Sequence, residues 1–304
     1  MQVIINYLKG YFYETNKQVL ILVSIFTATL VVSNYYFGIN EFIQNKSSLA
    51  VKLILWYAVF GVAFALPHLV LHIYRKGKMT ISPVFLFLIL LAPAIFSVKN
   101  SLTISFIISP DKNWDHYWNH ILYWPLLLVI VTALLLLIWR IFDKEEPFYG
   151  LTKKNFKLKP YLLMLIIMIP FIAAASTQTD FLITYPKLKA IAEVANEKKI
   201  DWWHQLLFEL SYGSDFFTTE LFFRGFLILA FIKWAGRDTI LPMAVFYCTI
   251  HFGKPLGECI SSYFGGILLG VIVYNTRSIW GGLIVHLGIA WLMEVGGYIG
   301  NMLK

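Results

Sequence analysis

Nine apolar runs separated by short polar stretches dominate this sequence, near residues 18–38, 49–73, 81–98, 119–141, 159–176, 204–233, 238–252, 256–275 and 279–300. A helix needs about 20 mostly apolar residues to cross the hydrocarbon core of a bilayer. Most of the runs meet that length, while 81–98 is short and 238–252 is shorter. The pattern predicts an all-α, polytopic membrane helical bundle of eight or nine transmembrane helices. Charge supports the same reading. Only 14% of the 304 residues are charged, against roughly a quarter in a soluble domain. So few charges cannot cover a water-facing surface, and lipid requires no such cover. Ten Trp and seventeen Tyr suit a protein with two interfacial aromatic belts.

The formal net charge is +8, yet the basic residues lie between apolar runs rather than in one block. That is the positive-inside pattern of a membrane protein, and it argues against a nucleic-acid partner. The most basic short loops, Arg75-Lys76-Gly77-Lys78 and Asp143 to Lys159, fall on one side if the N-terminus is cytoplasmic. The longer polar stretch 177–203 then lies outside. Within it, residues 188–194 read as an amphipathic interfacial helix and Trp202-Trp203 as an anchor at the membrane edge. Lys9 and Lys17 precede an apolar run with no small-residue cleavage site, so no cleavable signal is expected. Two cysteines, Cys248 and Cys259, exclude a disulfide framework and read as free thiols packed in helices. The chain divides into framework helices (1–176), an external amphipathic segment (177–203) and a site-bearing core (204–304), all in one membrane domain.

A charged side chain at the centre of a membrane helix costs roughly 2.5–3.5 kcal/mol on insertion scales, so an ionisable residue there needs a partner or a role. The last third of the chain holds several. Glu220 and Arg224 are one helical turn apart and share a face. His251 closes the seventh run, Glu258 opens the eighth, and His286 and Glu294 lie on the ninth. One Glu, one Arg and two His on three apolar helices suggest a water-activating site. A carboxylate in an apolar pocket is pushed toward general-base duty. Two imidazoles hold an attacked carbonyl or, with an acid, a divalent metal such as zinc. The plainer account is a buried Glu220–Arg224 pair with histidines satisfied by carbonyls.

These residues carry a resemblance to the CAAX-protease and bacteriocin-processing family of intramembrane proteases. That family is marked by Glu-Glu-x-x-x-Arg, then aromatic-x-x-x-His, then His-x-x-x-Asn. Here the three appear as Thr219-Glu220-Leu-Phe-Phe-Arg224, Tyr247-Cys-Thr-Ile-His251 and His286-Leu-Gly-Ile-Ala290, over roughly residues 204–300. The resemblance implies an endopeptidase of glutamic or metallo type in a cell membrane, of bacterial plasma-membrane kind, acting on a membrane-associated protein or peptide. It implies Glu220, His251 and His286 as catalytic, with Arg224 supporting, and either no cofactor or a metal. Two positions depart. Thr219 stands where the family has the acid credited with activating water, and Ala290 where it has Asn. Glu220 then takes over the base role, or Glu258, Glu294 or Asp215 reaches the site, or the chain is a catalytically silent relative that binds a membrane peptide in an immunity or scaffold role. A transporter is the remaining reading, favoured by the Gly253-Lys254-Pro255 break and opposed by the lack of a repeat.

Other features have bland readings. Glu258 suits the first-turn dipole of a helix opened by Pro255, and Glu294 lies two turns beyond His286, off its face. His68 and His72, like His116 and His120, are four apart and read as interfacial histidines. Gly266-x-x-x-Gly270 and Gly296-Gly297-x-x-Gly300 read as close helix packing. There is no His-Glu-x-x-His, so zincin chemistry is unsupported. Gly213-Ser214-Asp215 lacks the second Gly of a serine or aspartyl motif.

Overall fold

A computed structural model describes residues 1–75, 80–154, 156–191 and 200–304, which are helical with no strand among them. The elements are α1 (Gln2–Glu14), α2 (Lys17–Phe37), α3 (Ile39–Gln44), α4 (Leu49–Tyr74), α5 (Pro83–Ser101), α6 (Lys112–Phe142), α7 (Leu158–Ala175), α8 (Thr179–Thr184), α9 (Trp202–Thr219), α10 (Ile240–Thr249), α11 (Leu256–Thr276) and α12 (Trp280–Met302). Local chemistry sets the boundaries. Asn16 and Asp111 accept backbone N–H groups at the starts of α2 and α6, and Ser82 caps α5 ahead of Pro83. Gly38 ends α2 in the left-handed conformation, φ +64°.

Among the described residues, seven helices are long and apolar enough to cross a membrane: α2, α4, α5, α6, α7, α11 and α12. The run expected at 204–233 is α9, which continues as a π-helix, Glu220–Ala230. Its polar groups lower its hydropathy. The run at 238–252 is α10, only ten residues, or about 15 Å of rise, half the depth of a hydrocarbon core. All ten residues of α10 are buried, enclosed by α2, α4 and α11. It is an inner helix wrapped by spanning ones.

Sequence reading had no place for α1. It buries Ile4 and Tyr11 against the bundle and exposes Val3 and Tyr13, and it packs on α11. Of the helix expected at 188–194, residues 188–191 belong to a 3-10 turn, Lys187–Ile191. Residues 192–194, and Lys76 to Lys78 of the first basic loop, lie outside the described residues. Trp202 and Trp203 open α9 and are exposed.

Ion pairs bring the two basic loops to one end of the bundle. Arg75 pairs with Asp238 at 2.5 Å, Lys233 with Asp143 at 2.6 Å, and Arg237 with Glu14. Asp238 lies in this polar turn, where burial raises its pKa against the pull of Arg75 and Arg237. The segment 179–191 sits at the opposite end, where Tyr185 reaches α11 and the Lys187 N–H reaches α12.

The interior is aromatic. Phe96 meets Phe222 and Phe223 at 5.0 Å between ring centroids, and Phe246 meets Phe223 at 5.2 Å and Phe60 at 5.1 Å. Each such pair adds roughly 0.5–1.5 kcal/mol beyond area burial. Small residues let backbones close in. At Gly266 a Cβ would meet Ala244 Cα at 3.2 Å, and at Gly270 Met243 Cε at 2.8 Å, so this stripe packs α11 on α10. Gly297 likewise lies against the backbone of Tyr185. His68 is a core residue that donates to the Phe64 carbonyl at 2.9 Å, and His116 and His120 pair with the carbonyls of Ala190 and His116.

Gly225 gives the sharpest packing test. A Cβ there would stand 2.7 Å from the Tyr149 carbonyl oxygen of the turn Phe148–Gly150. Gly225→Val is expected to lower stability by about 1–3 kcal/mol, measured by unfolding in detergent micelles. Unchanged stability would mean that the turn does not dock there.

Candidate active site

The site starts from a helix that places an acid and a base one turn apart. Glu220 and Arg224 are both fully buried, and Glu220 Oε1 stands 3.1 Å from Arg224 Nη1. A lone buried charge would cost several kcal/mol, so each needs the other. The contact is an ion pair without aligned hydrogen bonds, since the three guanidinium nitrogens have no partner of good geometry. Instead the guanidinium lies over the Tyr247 ring, 3.8 Å from its centroid, a cation–π contact that carries its charge without water. The other carboxylate oxygen, Oε2, faces Gly282, where a Cβ would come within 2.5 Å. Gly282 makes room for the acid.

The imidazoles arrive from two further helices. His286 of α12 has Nδ1 2.9 Å from Glu220 Oε1 and Nε2 3.0 Å from the Tyr247 hydroxyl. A carboxylate beside a guanidinium is an acceptor, so Nδ1 carries the proton, and in the neutral ring the phenol then donates to Nε2. Arg224, Glu220, His286 and Tyr247 thus form one continuous relay. His251 follows the end of α10, where the chain turns tightly: its N–H donates to the Cys248 carbonyl, and the Lys254 N–H donates to its own carbonyl, both at 3.0 Å. Its Nδ1 lies 2.9 Å from the Tyr247 carbonyl. A carbonyl only accepts, so here too Nδ1 bears the proton. Among the described residues, His251 Nε2 has no hydrogen bond. The two rings flank Tyr247, at 4.7 and 5.9 Å between centroids.

The remaining candidate acids have other hydrogen-bond partners, and of them Glu258 also lies close enough for its charge to act on His251. Both oxygens of Glu258 accept from the Tyr185 hydroxyl at 3.0 Å, and Lys254 Nζ lies 3.4 Å away. Glu294 accepts the backbone N–H groups of Lys187 and Leu188 at 2.8 and 3.4 Å. Asp215 pairs with Lys99 at 2.7 Å. Thr219 and Ala290 are buried. Glu258 and Glu294 therefore tie segment 179–191 across the outer ends of α11 and α12. Lys187, in that segment, is drawn down to about 8 by burial, with the nearby Lys254 adding and Glu258 and Glu294 opposing.

Sequence reading treated Tyr247 as a motif landmark and missed its hydroxyl, which touches His286. It also missed Tyr185 and Lys254. The signal for Tyr247 was present in its residue type, since a phenol carries a hydroxyl donor that Phe lacks. The histidines do not suit a metal. Three of their four ring nitrogens are committed to protein atoms, and among the described residues no three His, Cys, Asp or Glu side chains are placed to hold an ion. The donor set does not fit one.

Residues 205–292 match the family model described as type II CAAX prenyl endopeptidase Rce1-like. That stretch contains every motif residue above, and the match agrees with the family resemblance drawn from the sequence. No curated protein and no solved structure matches the chain.

The buried pair gives a double-mutant cycle. Glu220→Gln alone, which strands the guanidinium, is expected to destabilise by about 3 kcal/mol or more. Adding Arg224→Met is expected to recover part of that loss, with a coupling of about 2 kcal/mol. Denaturant unfolding in micelles measures both; strictly additive losses would mean that the two charges do not interact.

Proposed function

We propose that this protein is an intramembrane endopeptidase that hydrolyses a peptide bond of a membrane-associated protein or peptide, and that it does so with two neutral histidines rather than with Glu220 as the direct base. The observation that carries the reading is the Glu220–His286 hydrogen bond at 2.9 Å, with Tyr247 on the far nitrogen. Supporting it is the match of residues 205–292 to an endopeptidase family of the membrane.

Roles follow from the hydrogen bonds. His251 offers a bare Nε2, so it takes a proton from water as that water attacks the carbonyl carbon. On the other side of Tyr247, Glu220 and Arg224 fix His286. The Tyr247 hydroxyl, released from Nε2, is a donor for the negative charge that grows on the carbonyl oxygen. The proton that His251 took from water passes to the leaving amine, while Glu220 holds His286 so that its Nε2 keeps the Tyr247 hydroxyl in position. In this scheme Thr219 is no loss, since the carboxylate works through an imidazole. The two basic loops face the cytoplasm, and His251 lies toward the opposite end, beside Lys254.

The second reading, a silent relative that binds a membrane peptide, draws on Thr219, Ala290 and the complete burial of Glu220. Cleavage decides between them. Protein reconstituted in liposomes is offered two reporters, a farnesylated peptide ending in a CAAX sequence and an unprenylated single-span peptide. Cleavage of either is expected. His251→Ala is expected to lower kcat/KM by at least about 100-fold, and Glu220→Gln by a similar factor through His286. A divalent-metal chelator is expected to leave the rate unchanged. Inertness of the wild type toward both reporters, or full activity of His251→Ala, would refute the scheme.

A further inference from the structure

Cys248 and Cys259 are used by nothing described so far. Cys248 lies near the end of α10 and Cys259 in the first turn of α11, and both are buried free thiols. Their sulfurs are 3.9 Å apart. Each thiol also points at the other residue's backbone: Cys248 Sγ is 3.3 Å from the Cys259 carbonyl oxygen, and Cys259 Sγ is 3.7 Å from that of Cys248. A disulfide needs about 2.05 Å between sulfurs, so an approach of just under 2 Å joins them.

Between the two cysteines lies the turn that carries His251, Lys254 and Glu258. The His251 N–H is bonded directly to the Cys248 carbonyl. A cross-link here would pin the end of α10 to the start of α11 and close a short ring around that turn. The pair also lies at the bundle end that holds Tyr185 and Glu258, away from the basic loops. By the charge rule that end faces away from the cytoplasm, where disulfides persist.

We propose that Cys248 and Cys259 are a redox-modification site, an intramolecular dithiol that a hydroperoxide converts to a disulfide clamping the His251 turn. The chemistry balances with that oxidant. One sulfur attacks a peroxide oxygen, the S–O bond forms, the O–O bond breaks, and the first water leaves with that thiol's proton. The second sulfur then attacks the first, the S–S bond forms, the S–O bond breaks, and a second water leaves with the other thiol's proton. Two thiols are oxidised and one hydrogen peroxide is reduced to two waters.

The test uses the full chain in detergent micelles and needs no peptidase activity, so its result is independent of the proposed hydrolysis. Protein is treated with hydrogen peroxide or, in parallel, copper-phenanthroline, then denatured, alkylated with N-ethylmaleimide and read by mass spectrometry. The expected result is a mass lower by two hydrogens, no alkylation at either cysteine, a cross-linked peptide joining 248 to 259, and reversal by dithiothreitol. The oxidised form is expected to unfold at a temperature higher by on the order of 5 °C, a shift lost in Cys259→Ala. If both thiols stay alkylatable after both oxidants, or pass to sulfinic or sulfonic acids without cross-linking, the proposal is overturned.

Discussion

The arrangement of this protein turns on one carboxylate that no water reaches. Glu220 has no exposed surface, and in a bilayer-spanning bundle it is held by a guanidinium on its own helix and an imidazole from another. Each of the three is costly to bury alone and tolerable in company. The neighbourhood is arranged to keep them together. Gly282 clears space for one carboxylate oxygen, the Tyr247 ring covers the guanidinium, and the Tyr247 hydroxyl satisfies the far nitrogen of His286. Three helices are thereby registered against one another by a polar chain, where lipid-facing helices have only packing to set their register.

That chain also explains why the site-bearing segments depart from ordinary spans. The segment from Trp202 to Ala230 widens into a π-helix at Glu220, a geometry that recurs at functional positions. The helix Ile240–Thr249 is too short to cross a bilayer, and it does not need to. Enclosed on all sides, it carries Tyr247 into the interior and releases the chain into the turn that holds His251. The longer apolar helices shield this inner layer from lipid.

Much of this was legible in the sequence. Length and greasiness of the runs fixed the bundle, because a spanning helix has a required length and little tolerance for charge. Glu220, Arg224, His251 and His286 stood out because ionisable groups in apolar runs demand an explanation, and the structure gathers all four around Tyr247. What escaped was side-chain partnership across long separations. Glu258 and Glu294 are candidates to replace a missing acid, and each also holds the 179–191 segment, through the Tyr185 hydroxyl and two backbone N–H groups. No spacing rule links residue 185 to 258. The helix Gln2–Glu14 was hidden for another reason: its apolar residues form a stripe rather than a run, too weak a signal beside the spans that follow. Tyr247 was seen only as an aromatic, and the role of its hydroxyl depends on a neighbour 39 positions away.

The central claim is that Glu220 acts through His286 and that both site histidines carry their proton on Nδ1. Nitrogen NMR on protein with its seven histidines labelled at the ring tests it most directly, with His251→Gln and His286→Gln to assign the signals. The account predicts that both rings are neutral with the proton on Nδ1, opposite to the tautomer that free imidazole side chains favour, and that Glu220→Gln shifts the His286 signals while leaving those of His251 in place. A proton on Nε2 of His286, or His286 signals indifferent to Glu220→Gln, would contradict it.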